Sequence, residues 1–363
     1  MSIWEAIIQG IVQGATEFLP VSSSGHLSLS QHILGVQLDS LLFDILLHLG
    51  TLIAVLAVYY KLVWRLIKAF FSLVADLVHG RFKWKEMDHD RRLLMMLIIG
   101  LVPLFLLFLP VPGTGMKLKD ISELWAKDTT IWIEGIAFLM TSAMLFLGIR
   151  MTKKMKPHKH VSRDGRTSEI KGRRKIHTID AVCIGVTQCA AAVFPGLSRS
   201  GSTLATGLMR GINQQTALDY SFVLGIPSIL AAAVLTVSDV AGQPADIGAG
   251  VMIAGVLTAA IVGFLAIKLL KWIVTTNKLQ IFAYYTLILG VVTLIVAVIR
   301  EALPHRGCFH APRPSPHSMG FRPHRDRSNS NRCPPRSGES QRRWRRDPGC
   351  KSHRPADRSH RRC

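Results

Sequence analysis

Apolar residues in this chain come in long runs, neither alternating along strands nor confined to one narrow helical stripe. Six runs, at residues 41–60, 93–110, 131–149, 217–238, 250–267 and 281–299, hold 18 or more residues each with almost no charge. At about 1.5 Å per residue, each is long enough to cross roughly 30 Å of hydrocarbon as a helix. Barrel strands are shorter and alternate with a period of two, so a barrel is excluded. Two further stretches, 2–34 and 179–211, are apolar but broken midway by proline and small polar residues. Neither part of either stretch is long enough to span. The pattern predicts an all-α polytopic membrane protein with six transmembrane helices and two re-entrant helical hairpins.

Charge then orients the spans. The chain carries a net charge of +21, which invites a nucleic-acid partner, but the basic residues sit outside any foldable nucleic-acid module. Residues 300–363 hold 17 Lys and Arg against 5 Asp and Glu, and most of the remaining excess lies in three loops. Residues 61–92 carry 8 basic and 4 acidic side chains, 150–178 carry 11 and 2, and 268–280 carry 3 and none. The intervening segments 111–130 and 239–249 show no such excess, so the positive-inside bias assigns the three basic loops to the cytoplasm. No nucleic-acid partner is expected; membrane lipids are. The N-terminal stretch has no basic lead and is interrupted by Glu5, Gln9, Gln13 and Glu17, so it does not read as a cleaved signal peptide. The cysteines show neither a disulfide framework nor zinc-type spacing.

The chain also repeats itself. With a shift of 175 residues, Ala6, Gly10, Gln13, Ala15, Pro20 and Ser23 meet Ala181, Gly185, Gln188, Ala190, Pro195 and Ser198. After a one-residue gain, Gly25 and Gly35 meet Gly201 and Gly211, and Gly50 falls opposite Gly225. Each half holds one broken stretch followed by three spans. Three is odd, so the halves are expected to have inverted topology: a first repeat at 1–150, a basic cytoplasmic loop at 151–178 and a second repeat at 179–300. Paired breaks in such a repeat point to a site near the midplane. Residues 301–363, rich in Arg, His, Pro and Ser with few aliphatic residues, are expected to be a disordered basic tail. The topology puts this tail on the outer face, where a dense Arg run is unexpected, and translation out of the original frame would account for it.

The breaks read "TEFLPVSSSGH" and "PGLSRSGST", each leading into a helical pattern. Free backbone N–H groups, the helix dipole and serine hydroxyls make such ends anion sites. Ser22, Ser23, Ser24 and Gly25 from one half, with Ser198, Ser200 and Thr203 from the other, would surround a phosphate or pyrophosphate, and Arg199 would bind it bidentately. Glu17 continues a polar stripe with Glu5, Gln9 and Gln13. The second half has Ala192 in its place and Arg199 opposite Ser24, so one half offers an acid and the other a cation. An ionisable group at membrane depth is costly and therefore a functional candidate. A purely structural Glu17–Arg199 ion pair is the alternative. Asp44, His48 and Glu134 are expected to be structural or peripheral, and Arg210 to lie at the cytoplasmic interface.

Both motifs, "QGATEFLPVSSSGH" and "PGLSRSGST", resemble the signatures of the bacitracin-resistance type of undecaprenyl-pyrophosphate phosphatase, over residues 1 to about 300. Gln13 stands where many members carry glutamate. The resemblance implies a multi-pass enzyme of the bacterial plasma (inner) membrane that hydrolyses undecaprenyl pyrophosphate to undecaprenyl phosphate and inorganic phosphate. That reaction recycles the carrier for cell-wall synthesis and confers bacitracin resistance. It also implies a divalent cation, magnesium or calcium, and a site that faces the outer, periplasmic side. Glu17 would be general base or metal ligand, with Gln13 beside it; His26 would supply or relay a proton. Ser23 would be the nucleophile, with direct attack by water as the competing route, and Arg199 would neutralise phosphoryl charge. A transporter or flippase for a lipid phosphate shares this architecture and is the rival reading. Whether the chain works alone or as a homo-oligomer stays open.

Overall fold

A computed structural model of the chain describes residues 1–34, 41–84, 87–111, 113, 116–118, 120, 131–161, 167–240 and 247–302, all within one unit, Met1–Arg306. The expected tail from 303 onward and its disorder lie outside the described residues. Among the described residues the structure is all-α apart from one small hairpin, and each of the six apolar runs is helical over most of its length.

The first broken stretch forms α1 (Ile3–Phe18) and α2 (Ser23–Leu34). Of 16 and 12 residues, these helices reach only about 24 and 18 Å, short of a hydrocarbon core. Three long helices follow: α3 (Leu41–Val78), α4 (His89–Leu101, running into a 3₁₀ turn at Val102–Phe108) and α5 (Trp132–Lys154). The second half repeats the order with α6 (Thr178–Val193), α7 (Arg199–Met209), α8 (Gln214–Val240), α9 (Ala249–Thr275) and α10 (Gln280–Ala302). Packing partners exchange between the halves. Helix α1 lies along α9, and α6 lies along α4, while α3 meets α8 and α5 meets α10.

Glycines set these contacts. A Cβ on Gly10 would stand 2.7 Å from the Gly255 carbonyl oxygen, and one on Gly14 would stand 2.7 Å from that of Ala259, so α1 rests backbone to backbone on α9. In the other half, Gly185 meets the Gly100 carbonyl in the same way. With lipid as apolar as the side chains, close approach at small residues is the main source of helix attraction. Both halves also open alike. Ser2 and Glu5 form a capping box at the start of α1, and the Asp180 carboxylate accepts the His177 N–H at 2.9 Å at the start of α6. Asp180 is fully buried and paired with Arg173 and with Arg210, whose Nε lies 3.0 Å from Oδ1. Arg210 thereby ties the end of α7 to the start of α6.

Two boundaries differ from the sequence pattern. Helix α3 does not stop near residue 60 but continues to Val78 past a kink at Tyr59, whose φ and ψ are −106° and 18°. The continuation holds Leu62, Arg65, Leu66 and Lys68, good helix formers, so charge at 61–78 marked the end of the span but not of the helix. The basic segment 151–178 contains an antiparallel hairpin, β1 (Pro157–Val161) with β2 (Thr167–Lys171), paired from Pro157↔Lys171 to Val161↔Thr167. Its strands are too polar and too short to announce themselves by alternation.

Candidate active site

The α1–α2 break is built by a residue in an unusual conformation. Ser22 has φ of +75°, a left-handed geometry that costs a non-glycine residue energy. It lets the chain reverse within four residues and places the Ser22 Oγ where it accepts the Gly25 N–H at 3.3 Å. Gly25 is required for space: a Cβ there would stand 2.7 Å from the Phe138 ring. In the α6–α7 break, Gly196 has φ of +80° and Ser198 caps α7, its Oγ accepting the Gly201 N–H at 3.0 Å. Thr141 of α5 accepts the Ser198 N–H at 3.2 Å, so α5 supports both turns through Phe138 and Thr141.

The two breaks meet around Glu17. Its side chain is only 3% exposed, and its Oε2 accepts hydrogen bonds from Gln13 Nε2 at 3.0 Å and from Ser23 Oγ at 2.7 Å. Its Oε1 is paired with Arg199 Nη2 from the opposite half. Ser200 Oγ adds a second link between the breaks, donating to the Leu19 carbonyl at 3.0 Å. Arg199 keeps 25% of its side-chain surface exposed, against 3% for Glu17, so a ligand reaches the cation before the acid. Behind the guanidinium stands Gly225, where any Cβ would collide with Arg199 Nη1.

The structure thus gathers Gln13, Glu17, Ser23, Ser198, Ser200 and Arg199. Thr203 lies one turn along α7, with its hydroxyl bonded to Ser221 and to the Arg199 carbonyl, the latter at 2.8 Å. Ser24 is exposed. His26 faces elsewhere: Nδ1 meets the Ser22 carbonyl at 2.6 Å, and Nε2 meets the Tyr285 hydroxyl at 2.7 Å, with the Phe138 ring edge-on. A carbonyl only accepts, so Nδ1 carries a proton, and in neutral His26 Nε2 accepts from Tyr285.

One expectation is overturned. His48 is not peripheral, because its Nε2 lies 3.6 Å from Glu17 Oε2, making it a second cation for the buried acid when protonated. Its Nδ1 meets the Asp44 backbone carbonyl at 2.8 Å, so the two residues are joined through backbone, and Asp44 Oδ1 is left buried without a partner. Tyr285 and Gly225 carried no chemical signal in the sequence; Gly225 was visible only as the repeat partner of Gly50. Glu134 accepts from Ser28 at 3.1 Å and packs beneath Gly196, a supporting position.

The donors near Glu17 fit a hard cation held sparingly. Gln13 Oε1 is buried with no partner beside the carboxylate, and both are oxygen ligands. Among the described residues no group of three or more His, Cys, Asp or Glu could hold a metal ion, and Glu17 and Gln13 offer it one carboxylate and one amide oxygen.

The sequence profile of the family described as Bacitracin resistance protein BacA matches residues 6–292, which include both breaks and all of this site. An undecaprenyl-diphosphatase from Methanosphaera stadtmanae is 37% identical over 302 residues, covering 82% of this chain and 99% of that protein. The Methanobrevibacter smithii protein of the same name is 37% identical over 299 residues, with the same coverage of both chains. That from Alkaliphilus metalliredigens is 35% identical over 308 residues, covering 82% of this chain and all of the relative. The chain belongs to the bacitracin resistance protein BacA family.

Proposed function

We propose that the protein hydrolyses undecaprenyl diphosphate to undecaprenyl phosphate and inorganic phosphate, with the chemistry centred on Glu17, Ser23 and Arg199. The observation that carries this reading is a buried carboxylate that accepts a serine hydroxyl on one oxygen and an arginine from the opposite repeat on the other. Nearby, the capped start of α7 offers backbone N–H groups to an anion.

Arg199 and the α7 N-terminus hold the terminal phosphate and neutralise the charge that builds on its oxygens as the bridging P–O bond breaks. Ser23 Oγ attacks phosphorus while Glu17, 2.7 Å away, takes its proton; undecaprenyl phosphate departs with the bridging oxygen. Water then hydrolyses the phosphoserine, delivering inorganic phosphate and restoring Ser23. The Glu17–Arg199 pair fixes the guanidinium before substrate arrives, a positioning role alongside charge storage. His26 keeps one proton on Nδ1 for the Ser22 carbonyl, so it donates to the leaving oxygen from Nε2 only as the imidazolium, with Tyr285 turned aside.

Glu17 and Gln13 would hold a magnesium or calcium ion, which when bound supplies further positive charge to the phosphate oxygens. So few protein ligands suit magnesium, which keeps waters and substrate phosphates in its shell, better than calcium with its six to eight oxygens. We place the enzyme in the plasma membrane with the site facing outward, because the basic loops mark the other side.

Phosphate release by purified protein in detergent with lipid diphosphate and added magnesium or calcium is the direct test. Arg199→Ala should cut turnover by about 10³-fold or more, the cost of losing a charged transition-state partner. Absence of phosphate release from the wild-type protein, as for a carrier, or normal turnover by Arg199→Ala, would remove this reading.

A further inference from the structure

Away from the site, a cavity of about 580 Å³ opens between α3, α4, α8 and the strand-to-helix segment before α6. That volume is in the range of sites for small organic ligands. It lies about 25 Å along α3 from His48, since Arg65 on its wall is 17 residues further on. By the charge bias it is on the cytoplasmic side.

Its floor is apolar, formed by Leu62, Met96 and Val223, and Tyr220 closes the inner end by donating to the Met96 carbonyl at 2.6 Å. Four cations stand around this floor: Arg65, Arg92, Arg174 and Lys175. The acids facing them are Asp88, Asp90 and Asp219, and each is already engaged. Asp88 caps α4 by accepting the Arg91 N–H at 2.8 Å, and Asp219 takes the Tyr59 hydroxyl at 2.6 Å with Lys271 Nζ at 3.4 Å. Asp90 is shared by Arg65 at 3.7 Å and His89 at 3.6 Å. Arg92 Nε is buried with no hydrogen-bond partner. A buried guanidinium donor left open beside an apolar floor is costly unless something completes it.

We propose that this cavity binds a phosphate group carried on an apolar chain, that is, an acidic membrane lipid drawn from the cytoplasmic leaflet. Arg92 and Lys175 hold the phosphate; Leu62, Met96 and Val223 take the first part of the chain. This site is independent of the phosphatase reading and would persist if that reading failed.

Native mass spectrometry of the full-length protein in detergent tests it, with dioleoyl phosphatidic acid, dioleoyl phosphatidylcholine and inorganic phosphate as probes. Phosphatidic acid should be retained in preference to phosphatidylcholine. Retention should fall about 30-fold in affinity in Arg92→Gln/Lys175→Gln, two basic contacts being removed, while Glu17→Gln leaves it unchanged. Wild-type protein gives a second measure that needs no variant: phosphatidic acid should protect Lys175 from acylation by an amine reagent, read by peptide mass spectrometry. Equal protection by phosphatidylcholine, or by inorganic phosphate alone, would overturn the proposal. So would undiminished retention in a folded double variant, or loss of retention in Glu17→Gln.

Discussion

At the scale of single residues, what decides the chemistry is which groups reach the Glu17 carboxylate. Ser23 donates to it at 2.7 Å, the geometry of a nucleophile and its base. Ser23→Ala should therefore lower turnover by about 10²- to 10⁴-fold, and rapid acid quenching of the wild-type reaction should trap phosphate on the Ser23 peptide. If Ser23→Ala turns over within a few-fold of wild type, water attacks directly and Ser23 only orients it. Gly225 is a quieter case. Its missing side chain is the space in which Arg199 Nη1 sits, so Gly225→Ala should displace the guanidinium without removing its charge. The expected outcome is at least a tenfold loss of kcat with the fold intact, and a smaller rise in KM; unchanged kcat would show that Arg199 has room to adjust. Sequence reading named Glu17, Ser23 and Arg199 because ionisable and hydroxylic groups in a lipid-facing pattern stand out. It gave no role in the site to Gly225 or Tyr285, whose parts are spatial and come from helices far away in the chain. His48 it saw but misplaced, because an i to i+4 spacing from Asp44 suggests a local pair, and only tertiary packing turns the ring toward Glu17.

At the scale of elements, the breaks were legible because proline, glycine and serine interrupt runs that otherwise had no reason to stop. The hairpin at 157–171 and the continuation of α3 were not: the strands are short and polar in sequence, and Lys61, Arg65, Lys68 and Asp76 interrupt the run in which Leu66 and Ala69 are buried. The fixing of the second broken pair was half legible: Asp180 and Arg210 were visible as charges, but the contact between them depends on α6 and α7 returning to one level. There the fully buried Asp180 carboxylate meets Arg173, Arg210 and the His177 N–H. Asp180→Ala leaves two guanidinium groups without their shared partner and frees the start of α6. About 3 kcal/mol should be lost, toward the low end for a broken buried pair, because both arginines keep roughly a third of their surface in solvent. Thermal unfolding in detergent should show it as a lower midpoint, with Glu17 chemistry affected only as far as α7 moves. An unshifted midpoint would mean that glycine packing of α6 on α4 alone fixes this hairpin.

For the whole molecule, the site exists only because the two halves face each other: the acid comes from one break and the cation from the other, 182 residues apart. Packing partners are exchanged, α1 with α9 and α6 with α4, so each half covers the first helix of the other's broken pair. The charge bias would also set sidedness. If the basic loops are cytoplasmic, the connection between Phe108 and Trp132 is outside and the hairpin after α5 is inside. Lys117 and Lys156 are exposed markers of these two places. In a background lacking native cysteines, Lys117→Cys should react with a membrane-impermeant maleimide in intact spheroplasts. Lys156→Cys should react only after permeabilisation. The reverse pattern would place the Glu17–Arg199 site toward the cytoplasm and invert the assignment of the basic cavity with it. Labelling of both in intact cells would break the link between charge bias and topology on which each assignment rests.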